Sequence, residues 1–107
     1  MSVIDTAPLG GAGASAPTLM RLSGDIDIFT LEQVRRQLMS ALNYSNSLLV
    51  LDLSQVTFCG ADGLGMLLGV QARARARGIT LVLTGLSPFM TRLLHASGLD
   101  RSFPIML

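Results

Sequence analysis

The sequence predicts an α/β fold with a mostly parallel central sheet of about four or five strands, an amino-terminal β segment and packed helices. Two apolar runs carry that reading, "LLVLDLSQVTF" from Leu48 and "ITLVLTG" from Ile79. Both show little polar alternation, as strands covered by helices do. Around them apolar residues recur at helical spacing, so the order is β-α-β, which requires parallel pairing and right-handed crossovers. Unbroken strand runs suggest helices on both faces of the sheet, while periodicity leaves open a single helical layer. At 107 residues the chain is expected to be one domain, 1–107.

Taken in order, Val3 to Pro8 suits a short edge strand, and residues 9–17, rich in Gly, Ala, Ser and Pro, suit a flexible loop. "TLMRLSG" reads as a half-buried strand ending at Gly24. Thr30 with Gln33 three positions on forms a capping-box pattern, and Leu31, Val34, Leu38, Ala41 and Leu42 then follow one helical face. "NYSNS" breaks that helix before the central strand from Leu48 to Phe58. Helical spacing resumes from Gly63 to Arg77 and stops at Gly78, and Ile79 to Gly85 forms the next strand. Ser87 as N-cap with Pro88 behind it starts a last helix carrying Phe89, Leu93 and Leu94, which Gly98 closes. "RSFPIML" suits a final short strand.

Half of the residues are hydrophobic and 14% are charged, which argues for a folded chain. A mean hydropathy of +0.53 suggests apolar surface that meets a partner. Eight basic residues against seven acidic give a net charge of +1, no field for nucleic acid. A single cysteine, Cys59, and a single histidine, His95, offer neither a disulfide nor a zinc set, so no metal and no cofactor are expected. No apolar run approaches the length of a membrane span and no signal peptide is read, which makes the expected location cytoplasmic.

The stretch "VTFCGADGLGMLLG" places one acid, Asp62, where a strand passes into a helix. An N-cap role would account for it, since a carboxylate there satisfies free amides and faces the positive end of the helix dipole. A helical wheel puts Leu64, Leu67, Leu68 and Gln71 on one side and Asp62, Met66, Val70, Arg73 and Arg77 near the other. The second side has the mixed character of a protein interface, or else faces a neighbouring helix. Asp25 and Asp27 form a carboxylate pair, and their place in a turn favours a loop role over acid–base chemistry. Ser54, Ser87 and Ser97 lack a nucleophile-elbow context, His95 has no identifiable acid to orient it, and "GADGLG" lacks the lysine of a phosphate loop. An enzyme is not expected. Cys59 suits a small buried apolar residue, with a lowered thiol pKa at the helix start as the alternative.

Together, "LSGDIDIFT", "LVLDLSQVTF", "GADGLGMLL" and "TLVLTGLSPFMTRLLHASGLD" resemble the STAS-domain family, and within it the bacterial anti-sigma factor antagonists, in order from Leu19 onward. The resemblance implies a non-enzymatic domain that binds an anti-sigma factor with a kinase-like fold and frees a sigma factor. In that family the serine of a D-S-S-G-L loop is phosphorylated, which breaks the complex. Asp62 stands at that serine, with Gly60 and Ala61 at the two positions before it. The expected docking face comprises Asp25, Asp27, Thr30, Gly60, Ala61, Asp62, Gly63, Met66, Val70 and Arg73, and Ser54 and Thr57 are alternative phosphorylation sites. Other roles open to such a domain are a STAS subunit of a transporter or signalling scaffold, and a small-ligand sensor. A homodimer contact is also open.

Overall fold

The structure is a computed structural model that describes residues 3–8, 17–45 and 47–106. The loop expected at residues 9–17 lies, apart from Pro17, outside the described residues. The chain runs β1 (Val3–Pro8), β2 (Thr18–Ile26), α1 (Leu31–Tyr44), β3 (Leu48–Cys59), α2 (Ala61–Ala76), β4 (Thr80–Thr84), α3 (Pro88–Ser97), a 3-10 turn (Leu99–Arg101) and β5 (Ile105–Met106). The sheet has five strands in the order β1-β2-β3-β4-β5. β1 is antiparallel to β2, and all the other pairs are parallel.

This strand order settles how the helices lie. From β2 to β5 each crossover advances one strand in the same direction, so right-handed connections put every helix on the same face of the sheet. The core agrees. Leu49, Leu51 and Leu53 of β3 and Leu81 and Leu83 of β4 cluster with Val34 and Leu38 of α1, Leu67 and Val70 of α2, and Met90 and Leu94 of α3. Val50, on the opposite face of β3, is buried but lies outside that cluster. Among the described residues, therefore, the helices cover one face of the sheet and not both.

Local chemistry explains most boundaries. Ser87 accepts a hydrogen bond from the Met90 amide at 3.1 Å with Pro88 in the first turn, and Gly98, at φ 78°, closes α3. Gly78, at φ 72°, follows α2 in the left-handed region that favours glycine. α1 departs from expectation, because Thr30 forms no capping bond to the helix. Its hydroxyl instead donates to the Asp25 carbonyl at 2.8 Å and accepts from the Asp27 amide at 3.1 Å. Gly24 does not end β2 either; it lies beside an irregularity in the register, and pairing with β3 continues to Ile26.

Candidate functional site

β2 and β3 outrun β4. Asp52 is the last β3 residue paired with β4, opposite Thr84, whereas pairing with β2 persists to Cys59. The outer half of β3 therefore forms a two-stranded ribbon with β2. Two register shifts interrupt that ribbon, each with one extra residue on β3: Arg21 and Ser23 face Asp52 and Gln55, and Gly24 and Asp25 face Val56 and Phe58. Such bulges re-aim side chains. Burial accordingly falls on Leu53, Val56 and Cys59, three residues apart rather than two.

At the tip of the ribbon three segments are stitched together. The Thr57 hydroxyl donates to Asp25 Oδ1 at 2.6 Å. Asp27 Oδ1 accepts from the Phe29 amide at 2.9 Å and from the Thr30 amide at 3.1 Å, closing the turn into α1. The Gly60 amide donates to the Ile26 carbonyl at 3.3 Å, which fastens the β3–α2 junction to the end of β2. The Asp25–Asp27 pair thus serves loop geometry and does not converge as an acid–base pair.

Asp62 occupies the first turn of α2, but the N-cap is Gly60, in extended backbone at φ −88° and ψ 179°. The helix starts at Ala61, two residues earlier than the expected Gly63. Asp62 is exposed and makes no hydrogen bond or ion pair with another described residue. Its carboxylate still sits at the positive end of the helix dipole, a stabilisation of about 0.3 to 1 kcal/mol. Ala61 is exposed beside it.

Three residues expected on the docking face are not on the surface. Met66 is 7% and Val70 1% exposed, and both belong to the core. α2 is wedged between the sheet and α1, so apolar side chains are needed on both flanks. The solvent side is carried instead by Gly65, Gly69, Ala72 and Arg73. Gly63 is also buried: a Cβ there would lie 2.7 Å from Cys59 Sγ and 3.0 Å from Ile26 Cγ2, so its role is close helix-to-strand packing. Gln71, on the flank assigned to the core, is buried and donates to the Ser102 carbonyl.

Sequence reasoning missed the most exposed apolar groups of this region. Ile28 is 67%, Phe29 88% and Phe58 46% exposed. The Phe58 ring lies against Gly60, where a Cβ would be 3.6 Å from Cε2. The available signal was "DIFT": two large apolar residues between a turn-forming Asp and a helix start, where polar residues are usual.

Other candidates have little reactivity. Cys59 is buried, and burial pushes its thiol up to about 11, opposite to the lowering a helix start could cause. Contrary to expectation, His95 has an acid partner, with Nδ1 3.0 Å from Asp100 Oδ2. That pair is exposed on α3 and the turn after it, and the neighbouring Ser97 hydroxyl donates to the Leu94 carbonyl. Ser54 and Thr57 are both exposed, and the Ser54 amide donates to Asp52 Oδ1 at 2.9 Å. Among the described residues no group of His, Cys, Asp and Glu could hold a metal ion, and no helix is long and apolar enough to cross a membrane.

Comparison with known proteins agrees with this architecture. A family model described as "Mlab, STAS domain" matches residues 11–107. The chain is 33% identical over 88 residues to an anti-sigma F factor antagonist of Paenibacillus polymyxa, covering 81% of this chain and 75% of that protein. It is 33% identical over 79 residues to an anti-sigma-B factor antagonist of Listeria monocytogenes, covering 74% and 69%. The crystal structure of an anti-sigma factor antagonist from Mycobacterium paratuberculosis superposes with a TM-score of 0.73 at 29% identity, covering 96% of this chain and 85% of that one.

Proposed function

The chain belongs to the STAS domain family, and from that premise we propose that it is an anti-sigma factor antagonist. It docks, without catalysis, on an anti-sigma factor of kinase-like fold and so releases a sigma factor for transcription. The docking face is the tip of the β2–β3 ribbon with the start of α2: Asp25, Asp27, Thr30, Gly60, Ala61 and Asp62; Arg73, in the last turn of α2, lies about three turns from it. The observation that carries this reading is Asp62, an exposed carboxylate in the first turn of α2 with no partner among the described residues. On the resemblance of "GADGLGMLL" to the family's D-S-S-G-L loop, it takes the place of the serine that is phosphorylated there. With Gly60 as the N-cap, helix capping no longer accounts for the acid.

A phosphoserine carries about −1.5 to −2 charges and three acceptor oxygens, whereas Asp62 carries about one charge and cannot accept a phosphoryl group from a serine kinase. The complex is therefore insensitive to phosphorylation at this position. An anti-sigma surface built for neutral serine would be repelled; one with a complementary arginine is held permanently. The unpartnered charge favours the second.

Titration of the purified chain against the anti-sigma factors of its own organism, with and without ATP, tests the reading. The expected result is a complex that ATP does not dissociate and a chain that mass spectrometry finds unmodified, while Asp62→Ser becomes phosphorylated. ATP-dependent phosphorylation of Ser54 or Thr57 that breaks the complex would overturn the claim of insensitivity. Absence of binding to every anti-sigma factor, with binding to a transporter ATPase instead, would replace the reading.

A further inference from the structure

We propose that Ile28, Phe29 and Phe58 are the apolar anchor of this docking face, and that the partner receives them in an apolar cleft bordered by arginine or lysine side chains. The proposal rests on the functional reading above and specifies the partner's chemistry. Two observations carry it.

The first is exposure held in place. Phe29 is 88% exposed, yet its backbone amide is fixed by Asp27 Oδ1 at 2.9 Å, and Asp27 belongs to the turn that Thr30 fastens to the Asp25 carbonyl. Phe58 lies opposite Asp25 across the ribbon, with its ring against Gly60 two residues before Asp62. Aromatic groups presented from a rigid backbone bind with little ordering cost, and they are the residue type that dominates interface energetics.

The second is charge. Residues 22–34 and 53–64, which build this tip, contain Asp25, Asp27, Glu32 and Asp62 and no lysine, arginine or histidine, although the whole chain is +1; the exposed Arg73 lies in the last turn of α2, away from the tip. Glu32 is paired with Arg35, and Arg36 borders Phe29 only on the α1 side. On the Phe58 side lies Asp62, exposed and without a partner among the described residues. A partner that covers this side must supply a basic side chain there or bury that carboxylate unpaired.

Isothermal titration with an anti-sigma factor that binds the wild-type chain tests the anchor. Phe29→Ala and Phe58→Ala should each weaken binding by about tenfold or more. Tyr44→Ala, exposed at the last residue of α1 and so at the opposite end of that helix from Phe29, should leave Kd unchanged. Added salt should weaken the wild-type complex, and Asp62→Asn should flatten that dependence. Thermal unfolding of each variant confirms that the fold persists. If the anti-sigma factor binds and both phenylalanine variants keep wild-type affinity, the anchor is wrong and the functional reading stands. If affinity is insensitive to salt and to Asp62→Asn, the basic border is wrong. If no anti-sigma factor binds the wild-type chain, the functional reading falls and the anchor falls with it. A self-associated wild type that Phe29→Ala dissociates would make a second copy the occupant and overturn the proposal.

Discussion

The hydroxyl of Thr57 donates to the carboxylate of Asp25 across 2.6 Å, joining β3 to β2 at the base of the turn that displays Phe29. A hydrogen bond to a carboxylate at an exposed site is worth about 1 kcal/mol net. Thr57→Val and Asp25→Asn should each lower unfolding stability by roughly that amount, with a double variant no worse than about the larger single effect. Urea unfolding of the four proteins of the cycle measures this, and simple additivity would mean the bond contributes nothing.

Four glycines of one short region should respond in opposite ways. Gly63→Ala drives a Cβ to 2.7 Å from Cys59 Sγ and 3.0 Å from Ile26 Cγ2, and the overpacking should cost about 1 to 3 kcal/mol. Gly65→Ala and Gly69→Ala meet nothing within 4 Å inside the same helix, and each should stabilise by about 0.5 to 1 kcal/mol. Gly60→Ala, 3.6 Å from the Phe58 ring in ordinary van der Waals contact, should change stability little. Melting temperatures of the four variants give the order directly.

Acid should weaken the fold partly through Asp52. Burial opposes its ionisation, but the Ser54 amide and hydroxyl and the Arg21 guanidinium outweigh burial and hold its carboxyl below the usual range. Its folded pKa is thus below its unfolded one. The stabilisation is complete above the unfolded value near 4 and is lost as pH falls through the folded value. Denaturation followed from neutral to strongly acidic pH should show a shallower loss in Asp52→Asn than in wild type, and parallel curves would exclude the residue.

The thiol of Cys59 should be inert in the folded chain. With burial raising its pKa to about 11, alkylation near neutral pH requires opening of the β3–α2 junction. Labelling should be slow for the native protein and fast in denaturant, as read by mass spectrometry. Rapid native labelling would show that the junction opens readily.

The order and kind of the elements were legible because the strands "LLVLDL" and "TLVLT" and the cap Ser87–Pro88 state their chemistry locally. The orientation of α2 was not. Its solvent side is glycine and alanine, so the wheel offered no polar contrast, and Met66 and Val70 passed for surface when a second helical neighbour covers them. Single-sided helical cover was likewise hidden, since Val50 on the helix-free face is as buried as Leu51. Asp25, Asp27 and Asp62 could be picked out by type and place, whereas Phe58 could not, because a strand read as covered by helices on both faces has no outward position for a large apolar group.

Those two extra residues of β3 have a consequence for how the chain tolerates change in length. One insertion reverses the parity of a strand and the second restores it, so Cys59 ends up facing inward like Leu53. Losing the extra residue of a bulge, such as Thr57, would leave Gly24 opposite Val56, Asp25 opposite Phe58 and Ile26 opposite Cys59, so the faces downstream stay as they are and the tip straightens. Losing a residue from the regularly paired stretch Leu49–Asp52 would instead exchange inside and outside. The outer half of β3 should therefore accept shortening that its inner half rejects.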